Sequence, residues 1–442
     1  MAVAIASRKN LNGKSIFSVI GIDLPNKEGQ KRIDSINKGN FPFRTADTDL
    51  ALELSNAVKI NKNLKATSSY ESYKDADVIL VSINCDLIKT ENSDSIDIDR
   101  FRQSIETIAN NMSEGALIII ESTVPPGTTQ KIAFPVFKRL AKERKINKFY
   151  LAHSYERVMP GEHYLDSILN YWRVYSGVNA ESAEKCKFFL EAVINTEDYP
   201  LTRVKNTIAS ETSKILENSY RAVNIAFIEE WSRFAEAAGF DIYEVIDAIR
   251  MRPTHSNIRQ PGFGVGGYCL TKDPLFGKIA AKDILGLADH DFFFSSEAIK
   301  INNKMPLVTL KKIKKYFNND LHGKKLLLMG VTYREGVEDT RFSPSEIFVN
   351  ACESEGISFT GHDPLVSYWE ELDRKVNQDL PVADNYDVIV FAVPHKEFKQ
   401  INISKWVNNN DVLIFDANNV LTESQISDIN NNKLNYISIG RS

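Results

Sequence analysis

Apolar residues fall along this chain in short continuous runs set apart by helical lengths. Residues 15–23 (SIFSVIGID), 77–83 (DVILVSI), 116–120 (ALIII) and 149–153 (FYLAH) are rich in β-formers. Continuous runs, as opposed to strict alternation, predict strands of a parallel sheet buried on both faces. The rhythm restarts near residue 324 with KKLLLMG, ISFTGHDP, DVIVFAV and DVLIFDA, whose strand ends fall at Gly330, Asp363, Val393 and Asp416. Between the two blocks, residues 204–239 hold no Gly or Pro before Gly239. Ile208, Ile215, Ala222, Ala226, Ile228, Trp231, Phe234 and Ala238 give that segment a wide apolar stripe, the mark of a core-facing helix, and Gly239 is a suitable stop. At ~1.5 Å per residue the helix would be roughly 50 Å long, more than one small domain needs. The pattern predicts an α/β protein with two doubly wound sheets joined by a long central helix. Ligands of such sheets bind in loops at the carboxyl ends of the strands.

Composition narrows the class. A chain of 442 residues exceeds one ordinary core, so two or three domains are expected. Its 43% hydrophobic and 25% charged residues are those of a water-soluble globular protein. A formal charge of −4, with no basic run interleaved with aromatics, argues against a nucleic-acid partner. No apolar stretch is long enough to cross a bilayer, and MAVAIASRKN is not a signal peptide. Cys85, Cys186, Cys269 and Cys352 are scattered without CxxC or Cys/His spacing, which suggests neither disulfides nor a metal site. A reducing, cytoplasmic setting follows.

Candidate chemistry concentrates in PGFGVGGYCLTKDP, residues 261–274. Gly262, Gly264, Gly266 and Gly267 let the backbone approach a ligand closely. Cys269 beside Lys272 is a candidate nucleophile, because a nearby cation favours the thiolate, and Asp273 is near enough to act as a base or to position water. A small buried core thiol is the other reading of Cys269. Glu211, Lys214 and Asn218, spaced three and four apart, share one face of the long helix; a solvated stripe or a plain ion pair would give the same spacing.

Several ordered motifs resemble the nucleotide-sugar dehydrogenases, the UDP-glucose and UDP-N-acetylhexosamine 6-dehydrogenase family. They are VIGID (19–23), STVPPGTT (122–129), SYERVMPG (154–161, against SPERxxPG), the helix around Glu211, Lys214 and Asn218, the Cys269 loop, and MGVTYREGVEDTRFSP (329–344). The resemblance covers nearly the whole chain. It implies an NAD-binding Rossmann-like domain over 1–200, a central helical domain with the cysteine loop over 201–305, and a UDP-sugar-binding Rossmann-like domain over 306–442. It also implies that the 6-hydroxyl of the sugar is oxidised twice with NAD, to aldehyde and then to acid. In that chemistry Cys269 carries a thiohemiacetal and then a thioester. Lys214 stabilises the oxyanion and assists the first proton transfer, Asp273 with a water is the base, and Asn218, Thr123 and Glu156 complete the pocket. Cofactor contacts are implied for Asp23, Thr123, Glu156, Lys272 and Arg341. Substrate contacts are implied for Lys214, Asn218, Phe263, Gly264, Gly266, Gly267 and Arg334. An ion pair with Asp339 is the other reading of Arg341. The resemblance further implies a homodimer, a UDP-sugar as substrate, no metal, and a role in surface polysaccharide synthesis.

The chain departs from the family at its front. No GxGxxG turn precedes VIGID, so the first strand and the loop that would hold the NAD diphosphate are not seen. MAVAIASRKN looks like the helix that follows that turn. A start assigned too late, or a shortened chain, is the favoured explanation over a natural lack, and weak NAD binding is the consequence. Smaller departures are Cys85 near the cofactor edge, Glu229-Glu230 where Asn-Glu is usual, and His255 ahead of the glycine loop, where a surface position is the plainer expectation. SYERVMPG favours an acetamido sugar (UDP-GlcNAc or UDP-ManNAc) over UDP-glucose. A non-catalytic nucleotide-sugar binder is the alternative from another class, though a binder has no use for Cys269, Lys214, Asn218 and Asp273 together.

Overall fold

The computed structural model describes residues 1–43, 45, 47–89, 94–158 and 161–441. The chain forms two compact units, one of residues 1–217 with 275–292, the other of residues 218–274 with 293–442.

In the first unit, β1 (Val19–Ile22) pairs in parallel with β2 (Leu64–Thr67). A separate five-stranded sheet runs in the order β3 (Val78–Val81), β4 (Leu117–Ile120), β5 (Tyr150–His153), β6 (Val174–Gly177) and β7 (Thr202–Arg203). Only the β5–β6 pairing in it is antiparallel. The continuous apolar runs are explained by burial on both faces. Leu117 and Ile119 enter a cluster with Tyr175 and Phe189, while Ile118 and Ile120 enter another with Phe101 and Phe137. Each fully buried phenylalanine contributes about 1.5–3 kcal/mol. Residues at the front form a short helix, Ala2–Ala6, with Val3, Ala4, Ile5 and Ala6 buried.

The second unit contains the parallel sheet that the restarted rhythm predicts. Its order is β9 (Ser358–His362), β8 (Lys325–Met329), β10 (Val388–Phe391), β11 (Leu413–Asp416) and β12 (Asn435–Ser438). Leu326 and Leu328 pack on one side of β8, Leu327 and Met329 on the other. Strand order reverses between β8 and β10, which opens a crevice at the carboxyl ends. Gly330 (φ +96°) lies there, and a Cβ on it would come within 2.4 Å of Val393 Cβ, so only glycine fits without strain.

The helix expected over 204–239 is Thr207–Ala238, 32 residues long, here α1. Among the described residues no helix is long and apolar enough to cross a membrane, and no group of three His, Cys, Asp or Glu side chains is placed to hold a metal ion.

Candidate active site

In the first unit, the amino-terminal half of α1 is fixed turn by turn to the carboxyl ends of β4 and β5. Ser210 Oγ lies 2.7 Å from His153 Nδ1 and 2.7 Å from Ser176 Oγ. Burial pushes His153 down to about 3, against a bond to the Ser122 main chain and with the Lys214 charge lowering it further, so the ring is neutral across the working pH range. One residue on, the buried Glu211 carboxylate accepts the Gly127 amide at 2.6 Å and the Thr129 amide at 2.7 Å. Burial raises this carboxyl to about 7 although those amides oppose the shift. Glu211 thereby fastens the STVPPGTT turn that carries Thr123, which is itself half-buried.

One turn further along, Lys214 Nζ donates to the Glu156 carbonyl oxygen at 2.8 Å and lies 3.8 Å from Glu156 Oε1. Glu156 Oε2 accepts the Val158 amide at 2.8 Å, which closes the turn on itself. Glu217 completes the series: it takes the Tyr155 hydroxyl at 2.9 Å and Arg157 Nε at 3.2 Å. Met159 and Pro160, the last part of SYERVMPG before Gly161, lie outside the described residues. The helix thus gathers Glu156 and Lys214, two of the sequence candidates, at the strand ends.

Asp23 stands just past β1. Its carboxylate takes Arg32 Nε at 2.6 Å and Nη2 at 2.9 Å, plus the Leu24 amide at 2.7 Å. The Arg32 hydrogen bond holds its carboxyl below the usual range in spite of partial burial. At the end of β4, Glu121 forms a buried ion pair with Arg173 at 3.3 Å and accepts Ser82 Oγ at 2.8 Å.

In the second unit, the cysteine loop is set by glycines pressed against neighbours. At Gly267 (φ +84°) a Cβ would meet the Tyr333 ring at 2.8 Å, and at Gly264 it would meet Pro344 at 2.5 Å. Cys269 is exposed, and its carbonyl accepts the Lys272 and Asp273 amides at 3.2 and 2.9 Å. The Asp273 side chain is wholly buried with both oxygens engaged, by Lys272 Nζ at 2.8 Å and by Asn218 Nδ2 at 2.7 Å. Lys272 Nζ also lies 4.4 Å from the centre of the Tyr268 ring. The structure therefore brings Cys269, Lys272, Asp273 and Asn218 together, and pairs the Lys272 ammonium with Asp273. Phe263 is buried edge-to-face on Phe348 at 5.2 Å.

The loop after β8 carries Tyr333 and the half-buried Arg334. Buried Asp363 anchors it by accepting the Val331 amide at 2.9 Å, with His395 Nε2 at 3.2 Å. Arg341 is held bidentately by Asp339 at 2.9 and 2.7 Å, the pairing expected as its other reading. Cys85 is buried, and His255 is exposed beside Thr254.

Family models match three successive stretches. These are the NAD binding domain (7–193), the central domain (208–304) and the UDP binding domain (327–423) of the UDP-glucose/GDP-mannose dehydrogenase family. The chain belongs to this family. It is an NAD-dependent nucleotide-sugar dehydrogenase, an oxidoreductase with NAD as cofactor. A UDP-N-acetyl-D-mannosamine dehydrogenase of Methanocaldococcus jannaschii is 34% identical, over 92% of this chain and 87% of that one. The solved UDP-D-ManNAc dehydrogenase of Pyrococcus horikoshii is 28% identical, with a TM-score of 0.82 over 100% of this chain and 96% of that one. A UDP-glucose dehydrogenase from Pyrobaculum islandicum shares the fold, at 20% identity and a TM-score of 0.81 over 100% and 94% of the two chains.

The first unit fits the ribose side of the family's cofactor. A carboxylate at the end of a parallel strand is the kind of group that binds a ribose diol, and Asp23, ionised and oriented by Arg32, is placed as such a group would be. No described strand is followed by a GxGxxG turn, so the described residues would offer a ribose contact but not a glycine cradle for the diphosphate.

Proposed function

We propose that this dehydrogenase oxidises the C6 hydroxyl of a UDP-N-acetylhexosamine, UDP-ManNAc before UDP-GlcNAc, to the UDP-uronate. The observation that carries the reading is the composition of α1, a single helix bearing Lys214, bound to Glu156, and then Asn218, bound to the Asp273 that follows Cys269 by four residues. A thiol on a turn, an ammonium and an amide-held carboxylate are the groups that aldehyde oxidation needs. Bound NAD supplies the hydride acceptor for both oxidations. Lys214 stabilises the oxygen at C6 while its proton passes to a water held by Asp273, the base. Cys269 then adds its thiolate to the aldehyde carbon as a thiohemiacetal. After the second oxidation the carbon is a thioester, and water breaks the C–S bond to give the carboxylate and return the thiol. Asp273 orients Asn218 and the water. The acetamido sugar is favoured by the named activities of the relatives. The product is suited to a charged surface polysaccharide, made in the cytoplasm where free thiols stay reduced.

The test is NADH release with UDP-ManNAc, UDP-GlcNAc and UDP-glucose in parallel. Two NADH per sugar, with UDP-ManNAc turned over fastest, is the expected result. Turnover of UDP-glucose with neither acetamido sugar would replace the substrate. UDP-sugar binding without NADH from any of them would favour the non-catalytic binder.

We also infer a homodimer built on α1. Tyr220, Phe227, Trp231 and Phe234 are exposed along one side of it, with Trp231 edge-on to Phe227 at 6.3 Å and to Phe234 at 5.9 Å. An aromatic stripe of this kind calls for a cover, and a second copy supplies the same stripe. Sedimentation at micromolar concentration should give a dimer, and Trp231→Glu a monomer. A monomeric unsubstituted protein refutes the inference.

A further inference from the structure

We propose that Tyr155 and Glu217 are positioning residues that hold the Lys214 ammonium in its working place, by a clamp that replaces the proline of the family motif. The proposal rests on the reading of Lys214 given above. In SYERVMPG, Tyr155 occupies the second position of SPERxxPG. Its side chain is fully buried. The ring centre lies 5.6 Å from Lys214 Nζ and 5.3 Å from the Arg157 guanidinium carbon. A ring face attracts cations, more strongly where water is excluded, so one aromatic ring fixes two charges that would otherwise repel.

Its hydroxyl extends the hold. Tyr155 Oη donates to Glu217 Oε1 at 2.9 Å and accepts from Arg157 Nη2 at 3.0 Å. Arg157 Nε reaches Glu217 Oε2 at 3.2 Å, its Nη2 bonds Glu217 Oε1, and its Nη1 donates to the Trp172 carbonyl at 3.1 Å. Glu217 follows Lys214 by three residues, so both project from the same side of α1. The residues before and after Glu156 are therefore both tied to the helix, and Glu156 is left with its carbonyl 2.8 Å from Lys214 Nζ. Lysine is a compact charge on a flexible four-carbon stem and needs such neighbours to keep one rotamer. Proline at 155 would offer neither ring nor hydroxyl. Small displacements of a reacting group cost rate out of proportion to their size, so the clamp should be read in kcat.

The test compares Tyr155→Leu, Tyr155→Phe, Glu217→Gln and Lys214→Ala in the full chain. Tyr155→Leu should lower kcat by about tenfold with KM for the UDP-sugar little changed, and Tyr155→Phe, which keeps the ring, should restore it to within about threefold. A second readout needs no cofactor. After ¹³C reductive methylation, the Lys214 resonance, identified by its loss in Lys214→Ala, should be displaced by the ring in the unsubstituted protein and in Tyr155→Phe. It should return to the exposed-lysine position in Tyr155→Leu. Unchanged kcat and an unmoved resonance in Tyr155→Leu overturn the proposal. If Tyr155→Leu does not fold, Glu217→Gln decides: lowered kcat at constant KM upholds the clamp, and unchanged kcat refutes it. Full turnover by Lys214→Ala would instead sink the reading of Lys214 itself.

Discussion

Cys269→Ser is expected to reduce uronate formation by at least about 10³-fold while UDP-sugar binding stays within about twofold. The thiol is exposed on its turn, and the turn is held by main-chain bonds from the Lys272 and Asp273 amides to the Cys269 carbonyl. Exchange of sulfur for oxygen leaves those bonds in place, so the loop keeps its shape. The loss is chemical. A thiol is a few per cent thiolate at neutral pH and strongly nucleophilic, whereas a serine hydroxyl without an adjacent base is neither. In the proposed route the first oxidation does not use the sulfur, so about one NADH per sugar should appear, followed by little acid. The check is NADH stoichiometry against acid formed, with UDP-sugar affinity measured by calorimetry. Two NADH per sugar at the unsubstituted rate in Cys269→Ser would refute the thioester route.

Much of the fold was legible because burial on both sheet faces removes polar positions from the strands. DVILVSI, ALIII and KKLLLMG each surround a short parallel strand whose neighbouring residues enter opposite core clusters. The long helix was legible for a different reason: residues 204–238 contain nothing to stop it. Periodicity could not say that β1 and β2 of the first unit pair apart from its five-stranded sheet. Hydrogen-bond partners between distant runs are not written in either run.

The candidate site stands out in the sequence where the proposed chemistry demands an unusual residue set, as at Cys269, and is obscure where ordinary residues do the holding. Glu217, His153 and Tyr333 were missed. Glu217 gave a faint signal, since it continues the face of Glu211 and Lys214 at helical spacing. His153 gave none, because a histidine closing an apolar strand looks like core until Ser210 is found 2.7 Å from its ring nitrogen. Tyr333 becomes visible through Gly266 and Gly267, where a Cβ would come within 2.8 Å of its side chain. Family position points Lys272 toward the cofactor, and its ammonium lies 2.8 Å from Asp273. A charge within reach of an adjacent buried carboxylate is drawn to it unless a stronger partner is present.

Lys214→Met is the second large effect, an expected loss of about 10²–10⁴-fold in the first oxidation. Methionine keeps the apolar stem of a side chain that is 10% exposed and removes only the charge and its donors. In the unsubstituted protein one Nζ donor is spent on the Glu156 carbonyl, and an ammonium has three, so a further donor can turn to the oxygen at C6. As the C6 hydroxyl loses its proton, negative charge grows on that oxygen, and a fixed cation lowers the barrier because little solvent must reorganise. Lys214→Arg should fail as well, since a planar fork cannot occupy the place of a compact ammonium. Rapid mixing with the UDP-sugar separates the steps: the first NADH should be slowed in Lys214→Met, whereas in Cys269→Ser it should appear at the unsubstituted rate. A Lys214→Met enzyme whose first NADH forms within about threefold of the unsubstituted rate would take Lys214 out of the chemistry and leave it a support for Glu156.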